Sequence, residues 1–443
     1  MKLFNAFYLL IVFISTQSWA TKYNGRLTLG GYTAIERFQS TATTGSDKND
    51  FQVLSTRYFL NVEEINKTIW EGTFDIRDKF DFFDRLNRQL LTLQEKNEFQ
   101  VRQFSVKKSS VNQFLGMQFG RFPVKEAGSA FVDGAQFEEH WSKSLYSSIF
   151  AGLNPRKEGR SYLDYDSKAQ ISGISLTYDQ QNLGWNKNFY ATHAFVSQSY
   201  DNHVDRNYLF ENLIYQWNLD SRIITLVYFD LVPTSYLQNG HIAWQNGWSQ
   251  YFTTDINVTA IDVIEYSRRQ NVLERLPSSP YQESEIKFVY KLNTLQNRIY
   301  ILLNSGQRQV DRKYKQTSEL GYIRSEVFGP NWDMYGVLGS RKNFTSQDTL
   351  IRLGLGYYSR KWEFNLDSDF ETQMNESGST THPIYLEGTL SYYFSKSTYL
   401  AVSAQTAGDE NVNITSGFFR VGYRFGSREI PPVRDGAPPR GPL

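Results

Sequence analysis

Residues 362–371 read WEFNLDSDFE, and this stretch alternates apolar with polar side chains at almost every step. Successive side chains of a β-strand point to opposite faces, so a period of two predicts a strand with one apolar and one charged face. Every second residue of a strand shares one face, and we call such a set a parity. The apolar parity contains Trp362, Phe364, Leu366 and Phe370, and the polar parity contains Glu363, Asn365, Asp367, Asp369 and Glu371.

The same alternation recurs along most of the chain. Residues 54–63, 70–77 and 384–394 show it most clearly, and in each of them one parity is mainly apolar. The whole pattern predicts an all-β protein of roughly 22 antiparallel strands, each long enough to cross a bilayer when tilted. Any even number from about 16 to 22 fits the weaker segments, 113–152 and 240–270.

Short turns and longer polar segments alternate between the predicted strands, as in a transmembrane up-and-down β-barrel. A soluble β-sandwich also alternates, but its connections do not follow this order. The predicted turns are Asn66-Lys67, 142–144, Asp220-Ser221, 329–331, Ser359-Arg360 and 395–397. The predicted longer segments are 38–50, 84–97, 153–167, 271–282, 343–347, 375–383 and 409–414.

Proline and aromatic residues fit a barrel as well. Proline lacks the donor that a central strand needs, and the prolines before the C-terminal tail fall in predicted connections or at strand ends: Pro123, Pro155, Pro233, Pro277, Pro280, Pro330 and Pro383. The 29 tyrosines and 32 phenylalanines often close strands, as in Tyr357-Tyr358, 392–394 and Phe418-Phe419. This placement favours aromatic girdles at the membrane interfaces.

The chain termini suggest three parts. Lys2, the apolar stretch 6–14 and the small residues before Ala20 predict a secretory signal peptide, residues 1–20, cleaved after Ala20. Residues 21–426 then form the barrel, and the Pro-rich residues 427–443 form a periplasmic tail. We therefore expect Sec-dependent export to a bacterial outer membrane, with outer-membrane lipids including lipopolysaccharide as surroundings.

Composition excludes several classes of partner. Without Lys2, the 46 remaining basic residues balance the 46 acidic ones, which argues against nucleic acid as a partner. There is no cysteine, so neither a disulfide framework nor a lipoprotein anchor is expected. No cofactor is expected, and the oligomeric state stays open.

Residues 417–425, GFFRVGYRF, alternate and end on an aromatic residue. They resemble the last strand of bacterial outer-membrane barrels, which implies that Tyr423 and Phe425 form a signal for the barrel-assembly machinery. Arg420 stands where that signal usually has a glycine, and Phe425 is not the last residue of the chain.

The segment Gly120-Arg121-Phe122-Pro123 ends one predicted strand, 125–132 are predicted as a loop, and Asp133-Gly134 turns into a strand over 135–141. The segment resembles the part of porin-like families, including alginate-export-type channels, that carries the constricting loop. That resemblance implies that Lys125, Glu126 and Asp133 line a narrow point of the pore. An ordinary external loop remains the alternative.

The polar parity of the predicted strands carries charges of both signs, which are costly on a lipid-facing wall and therefore point inward. An open pore with a transverse field and a closed barrel filled by ion pairs both fit this pattern. The predicted lumenal residues are Arg57, Glu71, Asp75, Arg77, Arg352, Glu363, Asp367, Asp369, Glu371, Arg420 and Arg424.

Catalytic signals are weak. The histidines His140, His193, His203, His241 and His382 show neither metal-ligand spacing nor a neighbouring nucleophile. The His-Ser-Asn motif of barrel phospholipases is absent from the sequence, so no metal site and no catalytic residue is predicted. The sequence thus favours a non-enzymatic, porin-like channel for small hydrophilic solutes. A closed, adhesin-like interaction barrel is the first alternative, and an outer-membrane hydrolase is the second.

Overall fold

The computed structural model describes residues 20–38, 48–65, 68–81, 97–108, 115–155, 167–180, 187–262, 281–292, 296–308 and 311–426. The predicted signal peptide, its cleavage site and the Pro-rich tail lie outside or at the edge of these residues, as do Asn66-Lys67, Pro277 and Pro280. No helix among the described residues is long and apolar enough to cross a membrane.

The described chain is built almost entirely of β-strands. In chain order they are β1 (Ala20–Phe38), β2 (Lys48–Ile65), β3 (Trp70–Asp81), β4 (Asn97–Lys108), β5 (Leu115–Val124), β6 (Ala130–His140), β7 (Leu145–Leu153), β8 (Ala169–Gln180), β9 (Asn188–Tyr200), β10 (His203–Asn218), β11 (Ser221–Val232), β12 (Tyr236–Gly247), β13 (Phe252–Ile261), β14 (Tyr281–Leu292), β15 (Asn297–Arg308), β16 (Tyr314–Ser325), β17 (Trp332–Lys342), β18 (Ser346–Tyr358), β19 (Trp362–Asn375), β20 (Thr380–Thr381), β21 (Ile384–Tyr393), β22 (Thr398–Gly408) and β23 (Val412–Gly426). A 3-10 turn, Lys125–Ala127, joins β5 to β6.

The strands close into a barrel. Each full-length strand pairs antiparallel with the next one along the chain, and β1 pairs with both β2 and β23. Because β20 has only two residues and merely extends a hairpin of β19, the wall contains 22 strands. The predicted all-β, even-numbered antiparallel barrel is confirmed, at the upper end of the expected range.

The two ends of the barrel differ in their connections. At the turn end, where β1 begins and β23 ends, the strands are joined by short segments such as 141–144, 219–220 and 359–361. The described turns predicted from the sequence all lie at this end, and the described longer segments all lie at the opposite, loop end. Length alone does not separate the ends, since β9 and β10 are joined at the loop end by residues 201–202 alone.

The outer wall is apolar. Large side chains with 36–58% exposure alternate along the strands with half-buried or buried neighbours, as Ile351 and Leu353 do on either side of Arg352. A closed barrel leaves this face nowhere to bury itself except in hydrocarbon. The alternation predicted from the sequence therefore places the charged parity inside.

Aromatic rings cluster at the turn end. Rings on neighbouring strands are in contact over much of the circumference, in pairs whose centroids lie 4.3–6.3 Å apart: Tyr178–Phe189, Phe189–Tyr215, Trp244–Trp248, Phe252–Phe288, Trp332–Tyr357, Trp362–Tyr392 and Tyr58–Phe425. This turn-end girdle includes Tyr357 and Tyr392, as predicted. Phe418 and Phe419 do not close a strand, because they lie in the middle of β23.

The described prolines confirm their predicted placement, since Pro155, Pro233, Pro330 and Pro383 lie in connections and Pro123 is the penultimate residue of β5. The predicted course of 120–141 is wrong in part. Strand β5 continues through Pro123 to Val124, and β6 begins at Ala130, so only 125–129 connect the strands. Asp133 and Gly134 lie inside β6, because both strands keep pairing after they leave the wall.

Candidate functional site

The hairpin formed by residues 121–133 folds into the barrel, and we call it the lumenal hairpin. Phe122, Val124 and Val132 are fully buried, although they lie near the tip of a connection. They pack with inward-facing side chains of the wall: Phe150, Ile171, Ala194, Val196, Tyr208 and Phe210. These wall residues belong to β7–β10 and alternate with exposed outward residues such as Phe195 and Leu209. The hairpin therefore covers the inner face of four neighbouring strands and narrows the lumen.

A glycine allows the hairpin to leave the wall. Gly120 has a φ of 111°, a conformation that L-residues rarely adopt. A Cβ atom there would lie 2.2 Å from the carbonyl oxygen of Phe104 on β4. Immediately after Gly120, the guanidinium of Arg121 donates to the carboxylate of Asp133 across the hairpin and to the carbonyl oxygen of Val101, 3.0 Å away. Arg121 and Asp133 are about nine-tenths buried, so they form a fixed base for the hairpin.

Tyrosine hydroxyl groups hold the tip of the hairpin. Tyr208 on β10 donates to the carbonyl oxygen of Ala127 at 3.4 Å, and Tyr228 on β11 donates to that of Gly128 at 2.9 Å. Gly128 has a φ of 69°, and a Cβ atom there would lie 2.4 Å from the Tyr228 hydroxyl oxygen. A glycine is thus needed both for the turn and for this close approach.

The three residues predicted at a constriction occupy different places on the hairpin. Lys125 is exposed at the tip, and Glu126 lies beside it with Oε1 3.5 Å from the hydroxyl oxygen of Tyr146. Asp133 lies at the base, in its ion pair with Arg121. Sequence analysis missed Tyr208 and Tyr228, which are 81 and 100 residues away from the backbone groups that they bind.

Five arginines share the inner face of β23, β1, β2 and β3, and we call them the arginine arc: Arg26, Arg57, Arg77, Arg420 and Arg424. Arg26 is directly opposite Arg424, and Arg57 is directly opposite Arg77. Like charges in these positions repel each other, which is tolerable where water screens them. Arg420 and Arg424 are exposed, so water reaches this part of the inner wall.

One strong ion pair interrupts the arginine arc. Arg57 binds the carboxylate of Asp75 through two parallel hydrogen bonds, of 2.9 Å and 2.7 Å. Arg102, which sequence analysis did not select, lies 3.8 Å from the same carboxylate. Glu71 has the same parity as Asp75, so its side chain also faces the lumen. It lies four residues nearer the turn end.

An acidic arc occupies the neighbouring part of the inner wall, on β18, β19 and β21: Asp348, Glu363, Asp367, Asp369, Glu371 and Glu387. Asp367 and Glu387 are directly opposite each other. Two arginines partly compensate the arc, since Arg352 donates to Asp369 at 2.8 Å and Arg341 donates to Glu371 at 2.9 Å. Asp348, Arg341 and Glu387 were not selected from the sequence, although they obey the same alternation.

Tyrosines bind the acidic arc as well. Tyr335 donates to Asp367, and Tyr393 donates to Glu363 at 3.0 Å. Near the loop end, Asp369, Glu371 and Tyr385 line a cleft of about 260 Å³. The inner wall therefore presents hydroxyl groups and carboxylates side by side, which is a surface suited to polar solutes.

The rim at the loop end carries a fixed carboxylate. Arg308, at the end of β15, donates through Nε to Oδ1 of Asp311 at 2.9 Å. This hydrogen bond lowers the pKa of Asp311 to about 2. Asp311 is therefore harder to protonate than an ordinary aspartate and keeps its negative charge further into the acidic range.

Within the described ranges, no group of three or more His, Cys, Asp or Glu side chains has the geometry to hold a metal ion. His193 and His241 contact Glu211 and Thr259, at 3.2 Å and 3.0 Å. Neither contact includes a serine.

No protein-family model matches the chain, and no curated protein sequence matches it. Several solved structures are similar. OccAB4 of Acinetobacter baumannii has 8% sequence identity and a TM-score of 0.47, with 93% of this chain and 100% of that chain covered. The translocation pore of the P pilus usher PapC has 7% identity and a TM-score of 0.49, with 91% and 99% covered. A BenF-like porin from Pseudomonas fluorescens Pf-5 has 8% identity and a TM-score of 0.46, with 92% and 100% covered.

The geometry of the chain itself settles its fold. The wall is closed, has an even number of antiparallel strands, and is apolar outside and charged inside. Only helices and closed barrels satisfy every backbone donor and acceptor in hydrocarbon. The chain is thus a closed 22-stranded antiparallel β-barrel with the architecture of bacterial outer-membrane barrels.

Proposed function

We propose that the protein is a porin-like channel of a bacterial outer membrane, through which small hydrophilic solutes diffuse. The observation that carries this proposal is the inner wall, where charged side chains such as Arg420 and Arg424 remain exposed inside a closed barrel. A barrel filled by a network of ion pairs would bury these guanidinium groups and pair each of them with a carboxylate, because an unpaired buried charge is strongly unfavourable.

The two charged arcs provide the selectivity of the proposed channel. The arginine arc and the acidic arc lie on neighbouring sectors of the wall and are separated by β22. A solute in the lumen therefore experiences a field directed across the pore rather than along it, which orients molecules with separated positive and negative groups. Polar solutes with both kinds of group fit this lumen better than purely apolar ones.

The lumenal hairpin sets the size limit of the proposed channel. It rests against β7–β10, whereas the two charged arcs lie on other strands of the wall. The narrowest part of the pore then lies between the hairpin and the charged wall, with Lys125 and Glu126 at the hairpin tip. Such a constriction admits solutes by size and charge without any moving part.

Conductance across a planar lipid bilayer tests the proposal. Purified protein is expected to insert in discrete current steps, each of the same size, at salt concentrations near 1 M. Insertion of heat-modifiable, folded protein that leaves the bilayer sealed would instead support a closed interaction barrel. Turnover of lipid or peptide that disappears on substitution of His193 or His241 by alanine would support a hydrolase.

A further inference from the structure

An ionisable pair lies on the outer wall of the barrel. His193 on β9 and Glu211 on β10 are directly opposite each other, and Nδ1 of His193 is 3.2 Å from Oε1 of Glu211. Their side chains are 63% and 55% exposed. They are on the parity of the exposed Phe195 and Leu209, whereas the alternate residues Ala194 and Phe210 are buried beneath the lumenal hairpin.

The pair lies near the middle of the apolar band. His193 is four residues beyond Phe189 of the turn-end girdle, and Glu211 is four residues from Tyr215. For a tilted strand, four residues rise about 10 Å above the girdle, in a band roughly 25 Å tall. Three other outward-facing ionisable residues, Glu139, Arg324 and Lys342, lie within two residues of a strand end.

Hydrocarbon offers such a pair no partner. Lipid tails neither donate nor accept hydrogen bonds, so polar groups at this depth are stabilised only when protein covers them. The pair has one donor ring and one acceptor carboxylate on neighbouring strands. This arrangement is complementary to itself, because a two-fold axis parallel to the barrel axis brings His193 of one copy opposite Glu211 of the other.

A row of small residues lies on the same outer face, beyond Phe195 and four residues along β9 from His193. Four small outward residues form a continuous cross-strand row on β6–β9: Ala135, Ala151, Ser172 and Ser197. The last three also line a shallow cleft. Small residues allow two membrane-embedded backbones to approach closely, which increases their van der Waals contact.

We propose that this face, centred on His193 and Glu211 and bounded by the small-residue row, is the interface at which two copies of the chain form a dimer in the membrane. The pair supplies polar contacts across the two-fold axis, and the small-residue row supplies close packing. The interface lies on the outer side of the strands against which the lumenal hairpin packs. Dimerisation is therefore independent of whether the pore conducts.

Cysteine cross-linking tests the proposal directly, since the chain has no cysteine of its own. Leu209 beside the pair and Val402 on the opposite side of the barrel are both 39% exposed and face outward, so they form a matched set. In outer membranes treated with a short bis-maleimide, Leu209→Cys is expected to give a species of twice the monomer mass, and Val402→Cys is not.

A second measurement identifies the role of the pair itself. The double variant His193→Leu, Glu211→Leu is expected to lose the dimer in detergent, as measured by light scattering, while keeping its heat-modifiable migration as a folded barrel. The control Ser368→Leu makes a similar outward change on β19 and is expected to keep the dimer.

Three outcomes would overturn the proposal. The wild-type protein runs as a monomer in detergent and in membranes, the double variant remains dimeric, or Leu209→Cys cross-links only to a species of another mass. The last outcome would assign this face to a different membrane protein. Because migration reports folding separately, loss of the dimer is distinguishable from loss of the barrel.

Discussion

Replacing Tyr208 and Tyr228 together by phenylalanine is expected to loosen the lumenal hairpin without unfolding the barrel. The variant keeps both rings in the apolar contact and removes only the hydroxyl groups that bind Ala127 and Gly128. Each hydrogen bond contributes a net free energy of about 1 kcal/mol. The loss of both therefore destabilises the seated hairpin by about 2 kcal/mol, which changes the ratio of seated to unseated hairpin about 30-fold.

Single-channel recording measures this ratio. A seated hairpin narrows the pore, so each excursion of the hairpin from the wall opens a wider path and gives a larger current. We expect the fraction of time in the larger conductance state to rise about 30-fold in the double variant, in proportion to the shifted equilibrium. The main conductance level is expected to stay unchanged, because the seated geometry is the same in both proteins.

Tyr393→Phe is the matched control. Its hydroxyl group donates to Glu363 on the same lumenal wall at 3.0 Å but does not contact the hairpin. Current traces of the double variant that are indistinguishable from wild type would refute the role of the two hydroxyl groups. Equal effects of the control and the double variant would refute it too, since they would reflect a general change of the lumen.

Four further predictions follow from the described contacts. Gly128→Ala should destabilise the seated hairpin by at least about 1 kcal/mol, because of its positive φ and the adjacent tyrosine ring, and should also lengthen the larger conductance state. Asp369→Asn should make the channel more selective for anions, and Arg420→Gln should make it more selective for cations; the reversal potential in a salt gradient measures both changes. Arg206→Met should lower the free energy of unfolding in urea by about 3 kcal/mol or more, since it leaves the fully buried carboxylate of Asp230, the ion-pair partner of Arg206, uncompensated. Removal of residues 427–443 should leave heat-modifiable migration intact, because the last strand pairing with β1 ends at Gly426.

Much of the fold could be predicted from the sequence, because the environment on each side of the wall acts on every residue separately. A side chain such as Leu366 faces hydrocarbon and its neighbour Asp367 faces the lumen, so alternation alone reports the face. Turn residues such as Asp220 mark the short connections for a similar local reason. The strand number follows from these local signals only as a range, because the weaker segments 113–152 and 240–270 can be divided into strands in more than one way.

Contacts between pairs of side chains on neighbouring strands of the inner wall could not be predicted in the same way. The alternation identifies Arg352 and Asp369 as inward-facing, but only the register of β18 against β19 makes them partners. Register depends on where each strand begins, and connections of irregular length and composition obscure these starting points in the sequence. The five predicted arginines and the carboxylates were thus recognised as a face, whereas their partners, such as Arg341, were not.

The strands that the lumenal hairpin covers, β7–β10, also have a recognisable pattern in the sequence. This pattern differs from that of the charged arcs. Beside β19, the inward-facing side chains are polar. Where the hairpin covers the wall, the inward-facing side chains are apolar too. Strand β9 shows this change, since Ala194 and Val196 face inward between outward residues such as Phe195. A run of strands that is apolar on both faces, within a barrel that is otherwise polar inside, therefore indicates that another part of the chain lies against the inner wall. The covering segment must itself be apolar on one face and able to leave the wall, and the stretch around Gly120, Phe122 and Val124 satisfies both conditions.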